Sequence, residues 1–362
     1  MKNIIKTLIV MLSSVSLFAS AHAGSLGVSG TAKATYNINS GTNQTKGLGI
    51  TNELNFTASG ELDNGYTWSY SMELDPGATS PSTETSTGDT QSAQNDDTKL
   101  TLSTPMGTVG VFISEGGLDL EDGASQSVYG RPTDIGDPSS TTDNYNIDSY
   151  NNIQYHTPAD MLPFGITAKV AYATGLDKYG SGNNKGVQMT LGGDQSLGSS
   201  ATSYQVKASP IDGLTVGASY LSFDGSGSAN TVQDPESGAY MATYSSGPFS
   251  IGYSKAYKAP IVGNLTAGSS VETVETFDQT NMSIAYAATD DLSISYEQET
   301  SEAQYVLNST ADIEQESTSI QVAYTMGGMT LALAQSSHDN VGYSNASTAD
   351  RDQTLIAVTM AF

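Results

Sequence analysis

Beyond its first 23 residues the chain alternates apolar and polar positions with a period of two, and the rhythm runs to Phe362. Leu26, Val28, Ala32, Ala34, Tyr36 and Ile38 hold one phase against Ser25, Ser29, Thr31, Lys33, Thr35 and Asn37. Ile356, Val358, Met360 and Phe362 end the chain in the same way. Successive side chains of a strand point to opposite faces, so each such stretch reads as a strand with one apolar face. About 16 strands are predicted, near 25–38, 48–61, 66–75, 97–104, 108–114, 148–157, 165–175, 202–209, 213–224, 238–246, 248–258, 276–288, 291–300, 316–326, 329–338 and 352–362. Lys185 to Gly192 is assigned to a loop, because one more strand would make the number odd.

The connections alternate between two kinds. Brief ones carry the Gly, Pro and Asn or Asp of tight turns, as in Asp63-Asn64-Gly65, Pro105-Met106-Gly107, Pro210-Ile211-Asp212-Gly213 and Ser246-Gly247-Pro248. Long polar ones lie at about 75–96, 115–147, 176–201, 225–237, 259–275, 302–315 and 339–351. A soluble sandwich would bury the apolar faces in a core, but this many amphipathic strands with no covering helix exceed an ordinary sandwich. Apolar faces turned to lipid require closure, since lipid leaves no backbone group unpaired. Short turns on one side and long loops on the other are the habit of outer-membrane barrels. The expected fold class is therefore all-β, a transmembrane antiparallel β-barrel.

The first 23 residues change the picture in the same direction. Lys2 and Lys6 precede an apolar stretch from Leu8 to Phe18 and a small-residue site, Ala21-His22-Ala23. This is the layout of a secretory signal peptide, so residues 1–23 are expected to be removed and 24–362 to form a single barrel domain. No later segment approaches the roughly 18 apolar residues of a spanning helix. Thirteen Lys and Arg against 38 Asp and Glu give a net charge of −25, without the basic footprint that a nucleic-acid partner needs. The absence of cysteine excludes a disulfide framework and thiol catalysis. Only 37% of residues are apolar, which suits a barrel with a wet interior. Acids gather at Glu84 to Asp97 and Glu299 to Glu316, stretches that read as water-facing loops.

The leader, the amphipathic strands, the terminal aromatic Phe362 and an unusually long third loop together resemble the general porins of Gram-negative bacteria, in loop layout the alphaproteobacterial type. The resemblance spans residues 24–362 and rests on architecture more than on a sharp motif. It implies a homotrimer in the outer membrane, among lipid and lipopolysaccharide, forming a water-filled channel for passive diffusion of small hydrophilic solutes and ions. It also implies a second loop, 76–96, that latches onto a neighbour and a third, 115–147, that folds into the barrel. No cofactor is implied beyond a capacity to hold calcium near the third loop.

That loop, Glu115 to Asp148, carries Asp119, Glu121, Asp122, Asp134 and Asp137 with one Arg131. Lys33, Lys99, Lys169 and Lys207 fall on the polar phase of the strands, as do Glu53, Glu61 and Glu73. Acids on an inserted loop facing bases on the wall would place a transverse field across a pore and set its ion preference. The loop acids outnumber Arg131, so a moderate cation preference is expected. The family's wall bases are often arginines; here they are lysines. The bland alternative is that these are ordinary solvated charges.

Other functions find less support. A barrel could instead anchor acidic loops as a surface or adhesive protein without conducting. For an enzyme, only His156 and His338 remain after the leader, and no Gly-x-Ser-x-Gly elbow is present. Asp119-Leu120-Glu121-Asp122-Gly123 misses the spacing of a calcium-binding EF-hand. Two positions break the apolar phase. Asn52 sits among Leu48, Ile50, Leu54 and Phe56 and is expected to face a neighbouring subunit. Lys255, in phase with Phe249, Ile251 and Tyr253, is expected near the outer end, where a charge costs about 0–1 kcal/mol rather than the roughly 2–4 of the midplane.

Overall fold

A computed structural model describes residues 24–40, 46–75, 94–135, 143–174, 200–224, 231–260, 262–263, 274–306 and 311–362. Its strands are β1 (Ser25–Ser40), β2 (Lys46–Glu61), β3 (Thr67–Asp75), β4 (Gln94–Thr104), β5 (Gly107–Ile113), β6 (Asn152–His156), β7 (Thr167–Thr174), β8 (Ser200–Ile211) and β9 (Leu214–Asp224). They continue as β10 (Thr231–Gln233), β11 (Glu236–Ser246), β12 (Phe249–Ala259), β13 (Val262–Gly263), β14 (Val274–Ala287), β15 (Leu292–Tyr305), β16 (Ile313–Met326), β17 (Met329–Asp339) and β18 (Arg351–Ala361). Among the described residues, all but β10 and β13 close into one barrel, and those two pair with each other. Every strand predicted from the alternation is present.

Closure joins the two ends of the chain. β18 pairs antiparallel with β1, from Thr31 opposite Ala361 to Ser40 opposite Asp352. Beyond the ladder, Gly30 and Phe362 exchange both backbone hydrogen bonds, at 2.8 and 3.0 Å. The Phe362 ring occupies the space that a Gly30 side chain would need. Such closure leaves no strand edge unpaired, which a lipid surround demands.

The apolar phase faces outward, as expected. Leu26, Ile50, Leu100, Val206, Ile251, Ile284, Ile320, Leu333 and Ile356 are exposed on the outer surface. Tyr244, Phe249, Tyr286, Tyr324 and Phe362 follow them near the short turns, with the Phe249 and Tyr286 rings 4.8 Å apart. Aromatics at that level form the interfacial girdle of a membrane barrel. No helix among the described residues is long and apolar enough to cross a membrane; the strands would cross instead.

Two predicted boundaries are corrected. The strand expected over 148–157 begins at Asn152, preceded by a 3-10 turn at Ile147–Ser149. The Asn152 amide donates to the carbonyls of Glu115, Ile147 and Tyr150, which bends the chain inward before the ladder starts. The acidic stretch Glu299 to Glu316 is not a loop throughout: Glu299 and Glu302 ride on β15, Glu314 and Glu316 on β16. There the ladder continues, Glu302 opposite Glu314, although both faces have become polar and the alternation has vanished. Residues 1–23, 76–93, 185–192 and the side chain of Asn52 lie outside the described part. Lys255 is exposed on the outer surface, in register with Tyr240 and Thr280. Two positions farther out, the Tyr257 hydroxyl donates to Glu236 at 3.0 Å.

Candidate functional site

The third loop leaves β5, enters the barrel and packs along its inner wall from β7 to β18. Four side chains peg it. Leu118 and Ile147 pack with Ala171, Ala173, Ala201, Leu221 and Phe223; Leu120 with Ala239, Met241 and Ala256; Ile135 with Ala332, Ala334, Leu355 and Ala357. Burying each such aliphatic side chain contributes about 1.5–3 kcal/mol. The wall beneath is built of small residues, so the loop backbone comes close enough to bond wall hydroxyls and amides. Ser219 accepts from the amide of Leu120, Ser283 from that of Gln126, Ser295 from that of Val128 and Gln321 from that of Tyr129. Ser254 and Ser283 donate to the carbonyls of Glu121 and Ala124.

Two wall carboxylates missed by the sequence reading complete the attachment. Glu297, fully buried on β15, accepts from the hydroxyls of Ser125 and Ser127 and from the Asn281 amide. Glu299 accepts from the backbone and hydroxyl of Thr133, at 3.1 and 2.6 Å, from Asn281 and from Arg131. Their only sequence signal is a place in the polar phase of β15, between Ser295 and Ser301.

Arg131 is the hub of the loop. It is 9% exposed, and its guanidinium meets Asp122, Asp134 and Glu299, with Asp143 at 3.8 Å. Its charge is thus spent on the protein, while the side chains of Asp122, Asp134 and Asp143 remain 54%, 55% and 63% exposed to the lumen. Asp119 turns inward instead, accepting from the Glu121 amide, Asn144 and Ser219. Glu121 accepts from the Asn144 amide at 2.7 Å. Asp137 lies outside the described residues. Burial raises Glu121 well above the ordinary carboxylate range, with Asp122, Asp119 and Asp143 adding to the rise. Burial likewise dominates at Asp122; the Arg131 charge opposes it, Glu299, Asp119 and Asp134 reinforce it, and the group is pushed up to about 7.

The predicted wall residues all lie on the inner face, but they are dispersed. Lys33 places its ammonium 5.6 Å from the ring centre of Tyr129, on the far stretch of the loop. Beside it, Thr31 donates to Glu53 at 3.2 Å. Lys99 pairs with Glu115 at 2.8 Å, which neutralises it at the root of the loop. Lys169 and Lys207 stand on adjacent strands, Lys169 opposite Gln205 and Lys207 opposite Thr167. Glu73 shares the inner face of β3 with Ser71, which is opposite Lys99. Glu61 lies at the inner end of β2, exposed beside a short turn.

A model of the Gram-negative porin family matches residues 7–362. The chain belongs to that family. No curated protein matches it in sequence. Among solved structures, OmpF of Salmonella typhi, in complex with daunomycin, superposes with a TM-score of 0.66 at 13% identity over 94% of this chain and 98% of its own. The trimer form of the outer-membrane protein OmpT of Vibrio cholerae gives 0.62 at 13% identity over 94% and 100%. A mutant porin of Rh. blastica gives 0.56 at 13% identity over 93% and 100%. At these identities the likeness establishes the barrel fold, and family membership establishes an outer-membrane channel for passive diffusion.

Two other readings meet the geometry less well. Ser317 and His338 come within 2.9 Å, the reach a nucleophile and its base require. Yet they are 1% and 0% exposed, and among the described residues the His338 Nε2 has no partner to orient the ring. Family and fold are those of a non-enzymatic channel. Calcium is not matched by Asp119 to Gly123, whose carboxylates are turned to backbone amides and Arg131; among the described residues no group of three His, Asp or Glu could hold a metal ion.

Proposed function

We propose that this porin conducts small hydrophilic solutes and ions with a moderate preference for cations, through a constriction lined by Asp122, Asp134 and Asp143. The observation that carries the reading is the Arg131 hub. The loop's single guanidinium is buried and neutralised, whereas three of its acids stay in lumen water. Fixed charge in a narrow, low-dielectric passage raises the local concentration of the opposite ion. Lys33, Lys169 and Lys207 on the wall oppose this and keep the preference moderate, and Glu53, Glu61 and Glu73 join the acids.

The remaining parts of the reading concern surroundings. Residues 1–23 serve as the export signal. The chain assembles as a homotrimer in contact with lipid and lipopolysaccharide, as the Vibrio cholerae neighbour's trimer form suggests. A gradient of potassium chloride across a planar bilayer tests the selectivity. The reversal potential should take the sign of cation preference, and Asp122→Asn with Asp134→Asn should move it toward anions. A reversal potential of anionic sign in the unaltered protein would overturn the reading.

A further inference from the structure

On the side of the short turns, the third loop leaves part of the inner wall uncovered. Leu118 of the loop packs with Ala171 and Ala173 of β7, and the Gln205 amide of β8 donates to the Leu118 carbonyl at 2.9 Å. The next inner positions toward the turns are Lys169 and Lys207, both half-buried. They are the first on their strands to face the lumen below the loop. The Lys207 stem lies beside Gly217, where a β-carbon would come within 3.2 Å of the lysine Cγ and 2.8 Å of Leu120. The glycine makes room for the lysine under the rim of the loop.

Lys169 is opposite Gln205 and Lys207 opposite Thr167, so the two lysines are diagonal neighbours. Such positions are roughly 7–8 Å apart at the backbone, close enough for two flexible stems to share one ion. Like charges so placed repel, and no acid of their own strands offsets them. β6, β7 and β8 contain no acidic residue, and the one on β9, Asp224, is at its far end, opposite Ser200. Asp160 and Asp212 belong to the adjoining short turns and are exposed to water. The charges that reach Lys169 are those of Lys207 and Lys99, both of its own sign. Lys99 is already paired with Glu115, and His156, opposite Lys169, is bonded to Gln154 at 2.7 Å. Two ammonium groups, each with three donors, thus share one patch of wall that supplies no carboxylate. An oxyanion of two charges, with several acceptor oxygens, matches both of them at once.

We infer that Lys169 and Lys207 form a subsite for a small divalent oxyanion of the phosphate class, which lodges there during passage through the inner half of the pore. The inference rests on the channel reading and adds a solute class to it. Cations are drawn to the acids of the loop, and the oxyanion to the wall below its root.

Single-channel recording with potassium phosphate, at a mildly alkaline pH where it is a dianion, tests it, each variant's block being expressed against its own current in potassium chloride. Low ionic strength keeps the charges unscreened. The current should fall saturably as phosphate rises, while potassium nitrate at the same ionic strength produces no block. Lys169→Gln and, separately, Lys207→Gln should raise the half-blocking concentration about tenfold, the loss expected for one charge-assisted hydrogen bond. A protein that conducts potassium chloride but shows no saturable block, or the same block in both variants as in the unaltered chain, would overturn the subsite and leave the channel standing. An equal rise in Lys33→Gln, far round the barrel on β1, would reduce the effect to the net charge of the lumen and overturn the subsite as well. A protein that fails to conduct potassium chloride would remove the channel, and the subsite with it.

Discussion

Gly252 of β12 lies directly beneath the carbonyl of Ala124: a β-carbon built on it would overlap that oxygen. The wall thus has a slot for the loop, and the Ser283 hydroxyl reaches the same carbonyl at 2.9 Å. Gly252→Val should lift the loop from the wall, weaken its docking by about 1–3 kcal/mol through overpacking, and lower and broaden single-channel conductance. Gly47→Ala is the control, since a β-carbon there meets nothing within 4 Å. Matching conductance in the two variants would refute the slot.

Glu299 is the wall's half of the Arg131 hub. Glu299→Leu deprives Arg131, Thr133 and Asn281 of an acceptor at once. Unmet buried partners cost roughly 1–3 kcal/mol each, so loop amides near Thr133 should exchange hydrogen faster, without loss of the barrel's own protection. Unchanged exchange at those amides would show that the carboxylate is not an anchor.

The pH dependence follows from the raised loop acids. A carboxyl group held above its ordinary value takes up its proton earlier as pH falls, so negative charge is lost from the constriction well before pH 4. Asp122 is pushed up to about 7, burial being the largest cause. The cation preference should therefore be full at pH 8 and weaken steadily between pH 7 and 5, as read from reversal potentials. Asp122→Asn should flatten that stretch of the profile.

The wall lysines give the opposite sign. Lys169→Gln with Lys207→Gln removes two inner-face charges that stand on adjacent strands, and should deepen the cation preference at low salt. Lys99→Gln should do less, because Lys99 is already paired with Glu115 at 2.8 Å. Screening over about 3 Å at 1 M salt should erase both shifts.

The barrel was legible because its outer face obeys a single rule, apolar at every second position, from Leu26 to Phe362. Legibility failed where that rule stopped applying. β15 and β16 extend past the apolar band, where Glu302 and Glu314 carry no periodic signal. The third loop's length and acids were readable, but which acids face the lumen was not. Asp119 and Glu121 are acids like Asp122, and only local donors such as Asn144 and Ser219 turn them inward. The track of the loop did leave a trace. Inner positions of β11, β12 and β17 are Ala239, Gly252, Ala256, Ala332 and Ala334 beneath it, whereas β1 and β2, clear of its main run, carry Lys33 and Glu53.

The hydrogen-bonded junction of Gly30 with Phe362 makes sealing of the cylinder depend on residues more than 300 positions apart. Neither β1 nor β18 can satisfy its outer edge until the other has been brought round, a contact of long sequence separation that is slow to form. Until then both edges would be open to pairing with other chains. Without Phe362 the seam between β1 and β18 loses both bonds to Gly30 and the ring that covers it, so one residue holds the end of the join shut.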